Sequence, residues 1–305
     1  MSIRKAGALF LVAAALPFPT SAWAQDRDDL SIDRILQDLD QDRPAAATEV
    51  EAASLDDGTV AAKTNVDFQA ALGAAYTSNA ALAEDNEVDD FHLTSTGRVD
   101  FSHTPAHAAD SRHVTFGLRA QATSDDFAEY DDFTNSFLAF RARVDVIPGR
   151  PGFTWYAAYA PRLQYAGTFT GYDRTIHDFT IGARREWTLS NGMKIELDAF
   201  AMRREATVAT AEQFRGSATV TASGGLLPQF AWFLEPNIQG RFYTGGTNDG
   251  RDDHSLSLTA GIKWSPIRAP TAAVKLSTSV ERSDSNFADR DYFVWNVGLT
   301  AAFGF

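Results

Sequence analysis

The most regular feature of the chain is an alternation of apolar and polar residues that begins after Asn65. In residues 91–101, Phe91, Leu93 and Phe101 share one face, and the polar residues between them share the other. Successive side chains of a β-strand point to opposite faces, so this period of two predicts strands with one polar and one apolar face. The same pattern recurs along the chain, for example in residues 112–123, 193–206 and 254–265.

Counting these segments predicts twelve strands. They lie near residues 66–76, 91–104, 112–123, 134–147, 153–166, 178–190, 193–206, 213–224, 230–243, 254–265, 272–283 and 292–305. Short turns alternate with longer, acidic connections, and the longer ones cover residues 77–90, 124–132, 167–177, 208–212, 244–253 and 284–291. An even number of strands, with short turns at one end and long loops at the other, is typical of an outer-membrane β-barrel.

The main alternative for such a pattern is a soluble β-sandwich, in which the apolar faces would pack against each other. Aromatic residues of this chain lie instead near the strand ends of the apolar face. Aromatic girdles of this kind mark the two interfaces of a lipid-facing surface, and this favours the membrane barrel. The aromatic residues concerned are Phe153, Trp155, Tyr165, Trp187, Phe230, Trp232, Phe242, Trp264, Phe293 and Trp295.

The N-terminal residues follow the pattern of an export signal. Arg4 and Lys5 precede an apolar stretch, and Ala22 and Ala24 form a small-residue cleavage site. This order is typical of a secretory signal peptide, so residues 1–24 are predicted to be removed and the mature chain to begin outside the cytoplasm.

Residues 25–64 form a lead-in to the barrel with eleven acidic and four basic residues. We expect them in the periplasm, before a barrel of residues 65–305. Ile32, Ile35, Leu36 and Leu39 fall on one helical stripe, which indicates a short amphipathic helix. Two interpretations remain open: a solvated linker, or a segment that docks a periplasmic partner or plugs the barrel.

Composition narrows the function classes. The 305 residues have a formal net charge of -13 and contain no cysteine. The net acidity argues against nucleic acid as a partner. Disulfides, thiol catalysis and cysteine-ligated zinc are excluded by the missing cysteines. The mean hydropathy of -0.23 argues against a bundle of membrane-spanning helices.

Alternation places twelve basic and seven acidic residues on the inner face of the predicted barrel. Two interpretations compete: ion pairs that fill a closed barrel, or arginines that line a passage for anions. The outward Arg203 and Arg282 lie near the loops, where they could meet lipopolysaccharide phosphates. The outward Arg185 indicates either a bulge or a different register in residues 183–187. The predicted anion path consists of Arg98, Arg119, Arg141, Arg143, Arg162, Arg184, Arg204, Arg215, Arg241, Lys263 and Lys275, with Lys194 as the further inward base.

The C-terminal strand carries a resemblance to a known class. Every second residue back from Phe305 is apolar, including Phe303 and Trp295. This pattern resembles the C-terminal signature of Gram-negative outer-membrane β-barrel proteins. The resemblance implies recognition by the barrel-assembly machinery and an outer membrane containing lipids and lipopolysaccharide.

Two shorter motifs are similar to β-barrel porins of exopolysaccharide operons. The first is Tyr76-Thr77-Ser78-Asn79, followed by acidic residues, and the second is residues 281–286. The barrel of surface-lipoprotein assembly modifiers shares the first motif, but we find no helical-repeat segment here that would match the domain preceding that barrel.

Catalysis and metal binding are not predicted. The six histidines lack zinc or Ser-His spacing, and His92 and His113 are expected to point inward, away from lipid. The acidic loops lack the spacing of an EF-hand. We therefore expect no enzyme, metal or cofactor. The expected function is a porin-like passage for small anionic solutes or acidic saccharides, linked to exopolysaccharide export. The alternative is a non-conducting structural or assembly barrel.

Overall fold

The computed structural model describes residues 59–79, 89–108, 111–130, 134–149, 151–266, 271–287 and 290–304. These residues form one closed antiparallel barrel of twelve strands. The strands are β1 Lys63–Thr77, β2 Asp90–Thr104, β3 His113–Phe127, β4 Asn135–Ile147, β5 Thr154–Ala166, β6 Tyr172–Thr188, β7 Lys194–Ala206, β8 Gln213–Leu227, β9 Phe230–Tyr243, β10 Asp252–Trp264, β11 Ala272–Ser285 and β12 Tyr292–Gly304. The prediction of a twelve-stranded barrel is confirmed.

Every strand pairs with its two neighbours, and β12 pairs with β1 to close the sheet. The closing register runs from Asn296 opposite Thr77 to Gly304 opposite Gln69. Because the strand number is even, β1 begins and β12 ends at the same end of the barrel. We call this the terminal end, and the opposite end, where β1 ends at Thr77 and β2 begins at Asp90, the loop end. A closed sheet leaves no unpaired edge.

The outer face is apolar, as the alternation predicts. Large apolar side chains stand exposed along it, including Leu72 at 64% and Ile181 at 66% of their maximal area. Aromatic side chains are also exposed outside near both ends. Trp155 and Trp264 lie near the terminal end, and Phe293 lies near the loop end. The inner face is mainly polar.

Several strands extend further towards the loop end than predicted. β3 continues to Phe127, and β6 begins at Tyr172, so residues 167–171 form a short connection where a long loop was expected. The connections at the loop end are therefore shorter than the sequence predicts. The reason is the polar inner face, because inward residues such as Asp125 and Arg174 make the end of a strand look like a loop in the sequence.

A short ladder lies at the terminal end, before β1. Thr59 pairs with Ala108 and Val60 pairs with His107, in the connection between β2 and β3. The His107 ring stacks on the His113 ring with 3.9 Å between centroids. The ladder therefore holds the start of the described chain beside the connection between β2 and β3. Residues 1–58 lie outside the described residues, so the signal peptide and the short helix stay predictions.

Two aromatic side chains cross a neighbouring glycine inside the barrel. Tyr156 of β5 lies over Gly182 of β6, where a Cβ atom would overlap its ring. Its hydroxyl reaches β7 and donates to Asp198 at 2.7 Å. Phe233 of β9 covers Gly261 of β10 in the same way. Because each glycine lacks a side chain, the large ring of the neighbouring strand can lie across it and reach the strand beyond.

Candidate anion path in the barrel lumen

The structure places all eleven residues of the predicted anion path on the inner face. They come from β2 to β11, at positions that alternate with lipid-facing residues. Arg184 was expected near mid-strand, but β6 begins earlier and ends earlier than predicted, at Tyr172 and Thr188. Arg184 therefore lies four residues from the terminal end of the strand. The eleven residues are Arg98, Arg119, Arg141, Arg143, Arg162, Arg184, Arg204, Arg215, Arg241, Lys263 and Lys275.

Six of these arginines form three groups, and each group contains two arginines and one aspartate. Asp100 lies 2.7 Å from both Arg98 and Arg119. We call each group an Arg–Asp–Arg triplet, and this one joins the paired strands β2 and β3 through one carboxylate. Since one negative charge faces two positive charges, each triplet keeps a formal charge of +1.

The other two triplets lie on β4 to β7. Asp145 contacts Arg143 at 2.7 Å and Arg184 at 3.7 Å. Asp178 accepts hydrogen bonds from the Arg204 guanidinium at 2.8 and 3.1 Å. Its second arginine is Arg162 at 3.9 Å. In each of the three triplets, one carboxylate therefore serves two guanidinium groups.

Burial changes along the barrel axis. In the loop-side half, inward side chains are shielded from solvent: Arg204 and Gln164 are 0% exposed and Arg162 is 2% exposed. Towards the terminal end, the Arg184 and Lys194 side chains are 44% and 57% exposed. The described wall thus has a tightly packed belt in its loop-side half and an open vestibule at the terminal end on the side of β6 and β7. On β11 and β12, inward residues near the same end, such as Lys275 and Ala302, are buried.

The vestibule wall carries charges of both signs. The Arg143 guanidinium lies over the Tyr156 ring, 3.9 Å from its centroid, and also donates to Asp145. At the rim, Lys194 contacts Glu186 at 3.3 Å. These contacts hold polar side chains against the wall rather than across the lumen.

Sequence reasoning missed several inward charges of the belt. Asp178 and Asp253 are both buried, and Arg251 donates to Asp253 at 2.6 Å. Arg174 is buried on β6 as well. Extending the alternation from Phe179 back to residue 172 would have found Asp178 and Arg174, but the inward Ile176 interrupts the polar face.

The outward arginines lie near the two ends of the barrel. Arg185 packs over Trp187 and Phe153 at 4.9 and 5.6 Å, and the register of β6 with β7 is continuous there, so the bulge expected in residues 183–187 is wrong. The observed irregularity lies at residues 164–165. Arg203 stacks on Phe214, and Arg282 pairs with Asp284.

The motif residues near the loop end close the barrel seam. Ser78 donates through its backbone N–H to the Trp295 carbonyl and accepts from the Trp295 N–H, both at 3.0 Å. The buried Asn79 side chain donates to the Phe293 carbonyl at 3.2 Å. In the second motif, the Asn286 side chain accepts a hydrogen bond from the Asp252 N–H at 2.8 Å and donates one to the Gly250 carbonyl at 2.9 Å. These two bonds hold the connection before β10.

His92 and His113 lie on inward positions of β2 and β3. Among the described residues, no cluster of histidine, aspartate or glutamate could hold a metal ion. The same part of the chain contains no helix long and apolar enough to span a membrane. Phe303 and Trp295 face outward and are exposed, whereas Phe305 and most of the acidic residues 84–90 lie outside the described residues.

A closed sheet with an exposed apolar exterior, aromatic residues at both ends and a charged interior satisfies every requirement of a lipid-embedded barrel. The protein is a transmembrane β-barrel of the outer-membrane type. This β-barrel matches no protein-family model and no curated protein sequence.

Solved structures of outer-membrane barrels are similar to this β-barrel at low sequence identity. A bacterial polysaccharide outer-membrane secretin has 9% identity and a TM-score of 0.49, covering 78% of this chain and 98% of its own. An outer-membrane channel from Pseudomonas putida F1 has 10% identity and a TM-score of 0.49, with coverages of 79% and 95%. The translocator domain of the autotransporter NalP from Neisseria meningitidis has 11% identity and a TM-score of 0.46, with coverages of 92% and 97%.

Proposed function

We propose that the barrel is an outer-membrane channel for small anionic solutes or acidic saccharides. The observation that carries this proposal is the set of three Arg–Asp–Arg triplets in the lumen. Each contains two guanidinium groups for one carboxylate. The triplet around Asp178 lies in the buried belt, where charge acts strongly on a passing ion. The motif resemblance of residues 76–79 and 281–286 supports a link to exopolysaccharide export.

In this proposal the terminal end faces the periplasm and the loop end faces outside, as in other outer-membrane barrels. The vestibule, with its exposed Arg184 and Lys194 side chains, collects the solute. The buried belt around Arg162 and Arg204 is then the selective constriction. The solute passes when these long, flexible side chains rearrange.

One observation favours the alternative function, a non-conducting barrel whose N-terminal segment docks a periplasmic partner. The loop-side belt is both buried and ion-paired, as a filled structural barrel would be. The ladder from Thr59 to Val60 would also hold the preceding residues beside the first turn. In this function the arginines stabilise the barrel and no solute passes.

Reversal potentials across a planar bilayer in a KCl gradient test the channel. We expect anion preference, and we expect replacement of Arg119 and Arg162 together by serine to reduce it. The matched control is Arg282→Ser, because Arg282 lies on the outer face. Cation preference of the unmodified protein, or no conductance, would contradict the proposed function.

A further inference from the structure

Arg185 is an arginine on the lipid-facing surface of β6, near the terminal end of the barrel. It lies three residues before the strand ends at Thr188. Its guanidinium carbon lies 4.9 Å from the centroid of the Trp187 ring and 5.6 Å from the centroid of the Phe153 ring. A charge on the outer face of a barrel is costly near the middle of the membrane and is tolerated near the interfaces. Arg185 and its aromatic neighbours therefore belong at the depth of the lipid headgroups, where aromatic belts lie.

Two other outward arginines have carboxylate partners. Arg203 contacts Glu212 at 3.7 Å, and Arg282 contacts Asp284 at 2.9 Å. Arg185 differs, because among the described residues no carboxylate pairs with it and no oxygen accepts a hydrogen bond from it. The outward residues around it on β6 and β7 are all uncharged: Ile181, Ala183, Trp187, Ile195, Leu197 and Ala199. A positive charge without a counter-charge thus faces the membrane at this point.

The free donors of Arg185 define what can bind there. A guanidinium group that stacks on a ring through its face keeps its N–H donors in its own plane, at the edge. Such a planar set of donors binds two oxygens of a phosphate or a carboxylate at once. Within the described part of the chain, the indole N–H of Trp187 has no acceptor either. A ligand at this position therefore needs a negative charge and several oxygen acceptors.

The surface beside Arg185 is suited to a lipid rather than to a soluble anion. Trp155 on β5 is 63% exposed, and its register partner on β6 is the outward Ala183. Ala183 in turn pairs with Ala199 on β7. Both alanines lie on the mid-membrane side of Arg185, and their side chains project less than that of Trp155. An acyl chain can lie over them while its headgroup stays beside the donors.

We infer that Arg185, Trp187 and Phe153 form a binding site for the headgroup of an anionic phospholipid in the leaflet at the terminal end. The phosphate oxygens accept hydrogen bonds from the Arg185 guanidinium group, and an acyl chain covers Ala183 and Ala199. A zwitterionic headgroup fits less well, because its ammonium group finds no carboxylate on this surface. The inference does not depend on conductance. It takes from the proposed function only the orientation of the barrel, which places the site in the phospholipid leaflet and not in the lipopolysaccharide leaflet.

Native mass spectrometry of the whole protein, released from detergent micelles, tests the site by counting the lipids that stay bound. The probes are dioleoyl phosphatidylglycerol, dioleoyl phosphatidylethanolamine and lipid A, with glycerol 3-phosphate as a soluble headgroup. We expect one phosphatidylglycerol to bind about threefold more tightly than phosphatidylethanolamine, as one exposed charge contact allows. Lipid A should bind more weakly than phosphatidylglycerol, and glycerol 3-phosphate alone should not bind.

Four results with these probes would overturn the inference. Equal retention of phosphatidylglycerol and phosphatidylethanolamine would show that the surface does not distinguish headgroup charge. Glycerol 3-phosphate that binds as tightly as the lipid would make this a site for a soluble anion. Preferential binding of lipid A would place this end of the barrel in the other leaflet. A second copy of the chain bound in place of lipid would make the surface a contact between subunits.

Arg185→Gln is the main variant, and Arg282→Gln is the matched control on the same outer face. We expect Arg185→Gln to lower the affinity for phosphatidylglycerol about tenfold, because hydrogen bonds to a charged group are lost. Arg282→Gln should leave that affinity unchanged, since Arg282 already pairs with Asp284. Unchanged affinity in Arg185→Gln, or an equal loss in Arg282→Gln, would contradict the site.

Arg185→Lys is a second variant that keeps the positive charge on the outer face and replaces the planar pair of donors by a single ammonium group. It should bind phosphatidylglycerol more weakly than the unmodified protein but still prefer it to phosphatidylethanolamine. Loss of this preference would show that headgroup charge is read elsewhere on the barrel, and would overturn the inference. Migration as a folded barrel on unheated gels is checked for every variant.

The lipid site and the proposed channel can fail separately. Lipid binding in micelles requires no conductance, and recording in a bilayer of phosphatidylcholine requires no anionic lipid. Retention of phosphatidylglycerol that is lost in Arg185→Gln, together with no conductance, would refute the channel and support the site. Anion-selective conductance together with equal retention of the two phospholipids would refute the site alone.

Discussion

At the scale of single residues, a buried aspartate shared by two arginines sets both stability and charge in the lumen. Asp178 accepts from Arg204, which has no exposed surface, and also faces Arg162. Removing one partner of such a group leaves a buried charge uncompensated, which is more costly than losing a surface ion pair. Substitution of the aspartate in a triplet is thus expected to destabilise the barrel more than substitution of a carboxylate on the outer face.

Asp178→Asn is therefore expected to lower the free energy of unfolding by about 3–5 kcal/mol, because Arg162 and Arg204 lose their carboxylate. Urea unfolding in lipid vesicles, followed by tryptophan fluorescence, measures the change. The control Asp284→Asn removes the partner of Arg282 in an exposed pair and should cost at most about 1 kcal/mol. Similar losses in the two variants would contradict the role given to burial.

Gly182 gives a second test at the same scale. A Cβ atom there would overlap the Tyr156 ring and approach the Ala199 carbonyl to 2.8 Å. We expect Gly182→Ala to destabilise the barrel by about 1–3 kcal/mol, the usual cost of overpacking. The same unfolding assay applies.

Gly97→Ala is the matched control, because nothing lies within 4 Å of the added atom. Tyr156→Ala in the Gly182→Ala background should remove most of the additional cost of the alanine. If Gly97→Ala were as destabilising as Gly182→Ala, the ring would not be the cause.

The sequence alone predicts orientation for most residues of the lumen but not their contacts. Arg98 and Arg162 follow from alternation, since strand side chains change face at every residue. That Asp178 joins two arginines depends on the register of β5, β6 and β7, which no local pattern encodes. The crossing of Tyr156 over Gly182 likewise needs the register that places the two side by side.

At the scale of elements, the barrel depends on the seam between β12 and β1. Their ladder ends at Asn296 opposite Thr77, and Ser78 and Asn79 extend it by three more hydrogen bonds. These bonds join the first and the last strand of the barrel. Seam residues therefore support closure of the whole sheet.

We expect the double variant Ser78→Ala with Asn79→Ala to lower barrel stability by about 1–3 kcal/mol, since it removes two side-chain hydrogen bonds at the seam. The fraction that migrates as folded barrel on unheated gels, measured against urea concentration, reports this loss. Ser95→Ala on the exposed outer face of β2 is the control. Equal midpoints for the two proteins would show that the seam does not need these bonds.

Strand boundaries at the loop end were the least predictable elements. The polar inner residues of a barrel strand resemble those of a loop, so the extension of β3 through Asp125 to Phe127 was read as a connection. The apolar outer residues were more informative. The outward Phe179 and Ile181 correctly predict the later part of β6. Its first residues, from Tyr172 to Arg174, show no apolar alternation, so the sequence does not predict them as a strand.

At the scale of the whole molecule, the vestibule and the belt divide the barrel into two halves with different roles in the two candidate functions. The described chain begins at the terminal end with Thr59 paired to Ala108, and the predicted lead-in of residues 25–64 includes this start. A channel needs the lumen and not the lead-in. A docking barrel needs the lead-in and not an open lumen.

Deletion of residues 25–58 separates these functions while leaving both the ladder at Thr59–Val60 and β1 in place. A channel should keep its single-channel conductance and its anion preference after the deletion, because every arginine of the belt remains. Planar-bilayer recording measures both quantities, and folded migration on unheated gels confirms that the shortened protein still closes its barrel. A replacement of the acidic residues in 25–58 by their amides, at unchanged length, is the companion variant and should also conduct. If conductance is absent in the full chain and in both variants, and a periplasmic protein that co-purifies with the full chain is lost on deletion, the barrel is a docking structure and its arginines serve only to stabilise it.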